Sequence, residues 1–309
     1  MNKSTAAVPA RKKIRYSHAD RAFYVLDWAL LLLMLVIILV PLVNVVCCSV
    51  SSPYAVGSGQ VYLWPNGFSL EAYIKLFKYR LILRGFANTI FYTVAGTAVN
   101  IVMTIMCAYP LSRKEVMGKK VILWYFTFTM LFGGGMIPTY LVIKDLNLLN
   151  TPWVMILPGA MGVYNMVVAR TFFINTIPDE LHEAAEIDGA TDFQVLFRIV
   201  LPLSTAIIAV LTLFYAVGHW NSFTDCYLYV DDQKLWNLQV VLRNFMANTK
   251  AMMESSGISD DIAEGQEVAL MQDVLKYAII VFTSIPIILL YPFAQKYFVK
   301  GVMVGSLKG

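Results

Sequence analysis

The side chains that make and break bonds are present in this chain, but not in working arrangements. Its three histidines, His18, His182 and His219, are far apart in sequence and in topology. No HExxH pair, Ser/His set or pair of aspartates lies at membrane depth, which argues against an intramembrane enzyme. Cys47, Cys48 and Cys107 lie inside apolar runs, Cys226 lies outside them, and none has metal or redox spacing. They read as small core residues. The one organised polar stretch is Glu183–Pro202, EAAEIDGATDFQVLFRIVLP, set between two long apolar stretches. A segment this polar cannot lie in hydrocarbon. It belongs at a membrane face, and its chemistry is recognition by another surface.

The elements around it follow from composition. The 309 residues are 58% hydrophobic and 14% charged, with a mean hydropathy of +0.64. A soluble domain is about a quarter charged. Six apolar runs, at residues 24–50, 88–111, 121–143, 153–172, 201–220 and 274–295, are near or above the roughly 20 residues a helix needs to cross a bilayer. They are continuous, not alternating, so the fold class is an all-α membrane protein with six transmembrane helices, not a barrel. The first run is no cleaved signal: it is too long, contains Pro41 and has no small-x-small site behind it.

Basic residues orient the bundle. With the N-terminus inside, the inner segments hold 15 of the 24 Lys and Arg. The segment Asp225–Lys276 has nine acids against four bases, a net of −5, and falls outside. Lys75, Lys78, Arg80 and Arg84 also fall outside and run against the trend without reversing it. Both termini, and the run between the fourth and fifth spans, are expected in the cytoplasm.

Locally that run predicts two short helices and a turn. Pro178 suits a first turn, and Asp179 and Glu180 follow where the helix dipole favours anions. Leu181, Ala184, Ala185 and Ile187 are expected on one side. Gly189 supplies a left-handed stop, and Thr191 or Asp192 a cap for the next helix. That helix is expected to show Phe193, Leu196, Phe197 and Val200 as one stripe, until Pro202 breaks it. Such a hairpin could rest in lipid headgroups. Six acids, Asp179, Glu180, Glu183, Glu186, Asp188 and Asp192, against a single Arg198 favour a basic protein partner over an anionic leaflet.

The spacing EAA-x3-G-x9-I-x-LP, met by Glu183, Ala184, Ala185, Gly189, Ile199, Leu201 and Pro202, resembles the signature of ABC importer permeases. Asp188 and Ala190 complete the DGA form common in sugar importers. From about Asp20 onward the chain resembles the smaller permease subunit of the maltose and multiple-sugar (carbohydrate-uptake) importers. Asn88-Thr89 opens the second span as in that family. Ala108–Arg113, AYPLSR, looks like its AYALSR, with Pro110 as a departure. Leu146–Thr151, LNLLNT, looks like its LGLLNT, with Asn147 replacing glycine; Asn also tolerates a left-handed turn. Trp220-Asn221 is similar to its WN motif, and Gln295–Gly309 to its tail.

The resemblance implies a type I importer permease bundle in a bacterial cell membrane, with a permease domain over 24–309 and a core at 88–295. Tails at 1–23 and 296–309 flank it, and a coupling segment spans 178–202. The implied partners are an ABC ATPase dimer, a second permease, an extracytoplasmic solute-binding protein, membrane lipid and a sugar or oligosaccharide. No catalytic residue, metal, cofactor or nucleic-acid partner is expected. The chain has no GxxxxGKS or GxxxxGKT loop, so ATP would be bound by a separate subunit. Glu183 would meet an arginine there.

Polar residues in lipid are costly and mark candidate solute contacts. Trp220, Asn221, Asn165, Tyr164 and Tyr140 are the candidates, with Asn100 and His219. Helix-to-helix hydrogen bonding competes as an explanation for each. Gly133-Gly134-Gly135 with Pro138, and Pro158, Gly159 and Gly162, are expected to break spans three and four. Trp236–Met246 predicts a short surface helix, and Ala251–Glu267 a polar loop. A stand-alone secondary transporter or channel is the alternative; it predicts buried charge pairs at mid-span, and none occurs in these runs.

Overall fold

In hydrocarbon every backbone N–H and C=O must be paired within the protein, so the apolar runs become helices. The computed structural model describes residues 17–256 and 262–306, and among them all regular structure is helical. Residues 1–16 of the expected N-terminal tail, 257–261 of the polar loop expected over Ala251–Glu267, and the last residues of the C-terminal tail, 307–309, lie outside the described residues; on either side of 257–261 the expected loop is helical instead, at 251–256 and 262–267. Chain order begins with α1 (His18–Ser49), α2 (Pro53–Gly57), α3 (Glu71–Lys78), α4 (Arg80–Ser112), α5 (Lys119–Leu131) and α6 (Met136–Asp145). It continues with α7 (Val163–Thr176), α8 (Asp179–Ile187), α9 (Asp192–Val195), α10 (Leu201–Leu203) and α11 (Thr205–Trp220). It ends with α12 (Thr224–Tyr229), α13 (Leu238–Ser256) and α14 (Ile262–Ser306).

Three of the six apolar runs are unbroken helices of spanning length: α1, α4 and Leu270–Pro292 within α14. Two more are bent pairs. α5 and α6 meet at 114° across the glycine run, where Gly135 takes a φ of +86° that a side chain would resist. The stretch Asp192–Leu203 meets α11 at 82°. The run 153–172 is broken across 158–162, as expected, and forms less helix than a span needs. A 3₁₀ turn at Pro152–Met155 leads into irregular backbone, and only α7 is helical. Its 14 residues cover about 21 Å, short of the roughly 30 Å of hydrocarbon. Pro158 has no N–H to continue a helix, and the irregular stretch is held inside protein, with Ile156 fully buried.

α4 is the central post. It packs against α7, α11 and α13, while α14 packs against α1, α3, α11 and α13. One core cluster joins Ile105 and Ala108 of α4 to Met166, Ala169 and Phe173 of α7 and Leu211 of α11. A second joins Leu76, Ile82, Leu238, Val241, Val274 and Ala278. α13 is therefore not the surface helix expected: Leu238, Val240, Val241 and Leu242 all face inward. The Asn88-Thr89 pair anchors it. Asn88 Nδ2 donates to the carbonyls of Lys234 (2.8 Å) and Trp236 (2.9 Å), and Thr89 Oγ1 accepts from the Leu238 N–H (2.8 Å). α1 buries only Cys47, Cys48 and Ser49, and α5 buries nothing.

Candidate functional site

The run from Pro178 to Leu203 folds as its residues dictate. Pro178 caps α8 from an extended conformation, and Asp179 and Glu180 occupy the first turn. Gly189 ends it with φ +75°, and the Ala190 N–H returns to the Ala185 carbonyl at 2.9 Å. A Cβ at Gly189 would meet nothing within 4 Å, so the demand is on backbone conformation alone. Thr191 then caps α9 with Gln194: the Thr191 N–H donates to Gln194 Oε1 (2.9 Å), and the Gln194 N–H to Thr191 Oγ1 (3.4 Å). The helix widens into a π turn over Leu196–Val200 and stays helical through Pro202 to Leu203. Pro202 therefore does not end it. The wider turn accommodates a residue with no N–H, and the bend falls at Ser204.

The faces differ from the expected stripes. In α8 the buried residues are His182 and Ala185, while Leu181, Ala184 and Ile187 are exposed, Ile187 at 87%. In the following helix Val195, Leu196 and Val200 point inward, and Phe193 (62%) and Phe197 (59%) point out. Packing against α4 and α7 selects the inner face. It leaves Leu181, Ile187, Phe193 and Phe197 uncovered beside Glu183 and Asp188, on a segment too polar for lipid.

The hairpin is fastened to the end of α4. Lys114 Nζ lies 2.5 Å from Asp179 Oδ2; their hydrogen bond raises the lysine pKa and lowers that of the aspartate. Arg170 Nε donates to the Leu111 carbonyl at 2.8 Å. The His182 ring packs 6.0 Å from the Tyr109 ring. Burial, and then the nearby Arg113 charge, lower the His182 pKa and disfavour the charged imidazole. Between α4 and the hairpin is a cleft of about 710 Å³, lined by Tyr109, Arg113, His182, Glu186, Asp192 and Phe193 among others.

The candidate solute residues separate into open and closed. Tyr164, in the first turn of α7, is 64% exposed, and Asn165 beside it is partly exposed. Asn221 is exposed at the end of α11, with Nδ2 donating to the Val217 carbonyl (3.0 Å). Tyr140 stacks on Tyr229, ring centroids 6.0 Å apart. Trp220 is only 4% exposed. Its ring meets Phe86 edge-on at 5.8 Å, and Nε1 donates to the Thr283 carbonyl (3.1 Å). It has no face open to a solute in this conformation. Asn100 and His219 are hydrogen-bonded to each other at 2.6 Å.

Residues 24–304 match the family described as "Binding-protein-dependent transport system inner membrane component". The chain belongs to this family. It is a permease subunit of a binding-protein-dependent ABC importer, with the type I importer permease fold, and not itself an enzyme. It is similar to the polygalacturonan/rhamnogalacturonan transport system permease protein YtcP of Bacillus subtilis (strain 168), 40% identical over 291 residues, covering 94% of this chain and 99% of the relative. Protein LplC of the same organism is 40% identical over 273 residues, covering 88% and 90%. A crystal structure of a bacterial ABC transporter involved in the import of the acidic polysaccharide alginate includes a chain that superposes with a TM-score of 0.82. The two are 32% identical, and the match covers 93% of this permease and 100% of that chain.

Two sets of residues in this permease were not singled out as sites by sequence reasoning. Lys114 reads as one more inner-face cation, with nothing local to pair it with Asp179. Thr104 and Tyr215 read as ordinary span residues, although Thr89, Thr93, Thr97, Asn100 and Thr104 recur every three or four positions. That spacing was the available signal: all five lie on one buried face of α4.

Proposed function

We propose that this permease forms, with a second permease subunit, the membrane path for a sugar, and that its hairpin couples the path to a separate ABC ATPase dimer. The substrate class is an acidic oligosaccharide built from uronates, delivered by an extracytoplasmic binding protein. The observation that carries the coupling role is the uncovered face of the hairpin. Leu181, Ile187, Phe193 and Phe197 present apolar surface next to Glu183 and Asp188, which form no ion pair among the described residues, and the surrounding acids disfavour an anionic leaflet. A basic protein groove satisfies both. Glu183, Ala184, Asp188, Gly189 and Ala190 form its contact half, Ala185 packs that half onto the bundle, and Ile199, Leu201 and Pro202 lead into α11.

Both termini are cytoplasmic in this reading, and the hairpin faces the ATPase. The uronate class rests on the polygalacturonan, rhamnogalacturonan and alginate systems to which this chain is similar. Tyr164, Asn165, Asn221 and Tyr140 are the proposed solute contacts, and Trp220 supports them from within the bundle. The experiment is ATP-driven uptake by the whole importer in proteoliposomes, with labelled trigalacturonate against labelled maltotriose. Preferential, ATP-dependent uptake of trigalacturonate is expected. Preferential uptake of maltotriose would overturn the uronate assignment, and ATP-independent uptake would favour a stand-alone transporter.

A further inference from the structure

Inside the bundle, two polar rungs join three segments that the coupling scheme does not otherwise connect. In the first, His219 of α11 hydrogen-bonds through Nε2 to Asn100 Oδ1 of α4 (2.6 Å), and Asn100 Nδ2 donates to the Gly159 carbonyl. The asparagine acceptor requires the proton on Nε2 of the imidazole. In the second, the Tyr215 hydroxyl is 2.7 Å from Thr104 Oγ1 and accepts from the Gly162 N–H at 3.1 Å. Tyr215 and His219 are one helical turn apart, and so are Asn100 and Thr104. Asn100 and Thr104 are almost wholly buried.

The carbonyl and amide that the rungs hold, Gly159 and Gly162, belong to the irregular stretch 156–162. That stretch has no helical ladder of its own, so its unpaired groups would be costly in a membrane interior. α4 is also shaped for the upper rung. A Cβ at Gly96 would lie 2.4 Å from His219 Cε1 and Nε2, so this glycine leaves the slot in which the imidazole sits. On the far side of Gly162 come Tyr164 and Asn165. On the inner side, the hairpin joins α11 at Ser204 across an 82° bend.

The geometry points to Asn100, Thr104, Tyr215 and His219 as positioning residues that transmit movement of α11 to residues 156–162, and so to the solute contacts that follow. This rests on the coupling reading above: the hairpin moves α11, and the rungs make the non-helical stretch move with it. Ordinary helix-to-helix hydrogen bonds would hold the bundle together without linking hydrolysis to the path.

The test uses the complete importer, wild type and four variants: His219→Leu, Gly96→Ala, His219→Gln and the double variant Gly96→Ala/His219→Leu. Two quantities are measured, amide exchange across 156–162 and ATP hydrolysed per trigalacturonate imported. His219→Leu should lose protection at 156–162 and keep hydrolysis, raising the ATP-to-solute ratio roughly fivefold or more. Gly96→Ala, which removes no hydrogen-bonding group, should do the same by displacing the ring. His219→Gln should restore much of both by keeping a donor to Asn100. Adding Gly96→Ala to His219→Leu should add little, because both act on one contact. Unchanged exchange and ratio in His219→Leu and Gly96→Ala at normal abundance would overturn the assignment. Loss of hydrolysis together with import would place the defect at the hairpin and also overturn it. If the wild type imports no trigalacturonate, the substrate class fails, while exchange at 156–162 still decides the rungs.

Discussion

Tyr164 and Trp220 both offer an aromatic face to a sugar ring, yet only one of them is open. Tyr164 is mostly exposed, whereas Trp220 is walled in by Phe86 and the Thr283 carbonyl. Tyr164→Ala is therefore expected to keep normal abundance and alter uptake rate or preference among oligosaccharides. Trp220→Ala should act through packing, with a cost of about 3–5 kcal/mol typical of a buried Trp. Its abundance should fall while preference per transporter stays the same. Uptake normalised to complex abundance separates the two; a changed preference in Trp220→Ala would place its ring in the path. His182 makes a pH prediction. Burial lowers its pKa below the ordinary 6.5. Below about pH 6.5 the unfolded imidazole binds more protons than the folded one, so stability falls as pH drops through that value. Exchange protection across α8, corrected for intrinsic rates, should weaken on acidification in the wild type and much less in His182→Phe.

Between α8 and α9 the chain turns on one backbone conformation. Gly189→Val is expected to cost about 1–2 kcal/mol through the left-handed φ alone, since no neighbour blocks a side chain. It should misplace α9 and lower import; full uptake by this variant would mean that the turn geometry is dispensable. The hairpin was legible in sequence because its signals are local: Gly189 as a stop, Thr191 as a cap, and acids in the first turn. So was the left-handed Asn147, at φ 55°. Which faces turn inward was not legible. Phe193, Phe197, Leu196 and Val200 are equally apolar, and only the position of α4 and α7 decides between them. In a membrane the ambiguity deepens, because lipid, a partner subunit and the bundle core all accept the same leucines. α13 turns inward instead of lying on the surface because Asn88 and Thr89 of α4, 146 to 149 residues earlier, hold its start. The broken fourth run was half legible: Pro158, Gly159 and Gly162 mark a break, but the polar rungs that hold it come from residues 59 and 53 positions away.

As a whole the molecule is one permease whose α1 and α5 lie almost entirely uncovered, and whose hairpin presents apolar surface outside the membrane. Both features suit a subunit built into a larger importer. The central claim is that the hairpin, through Glu183, links this permease to ATP hydrolysis on another chain. An exposed pair contributes only about 0–1 kcal/mol, but a partly buried arginine left facing a lysine costs several. The most direct measurement is binding-protein-stimulated ATP hydrolysis by the purified importer, wild type against Glu183→Lys, at matched permease abundance. The account predicts that stimulation is lost in Glu183→Lys while insertion is intact. Wild-type stimulation in that variant would contradict it.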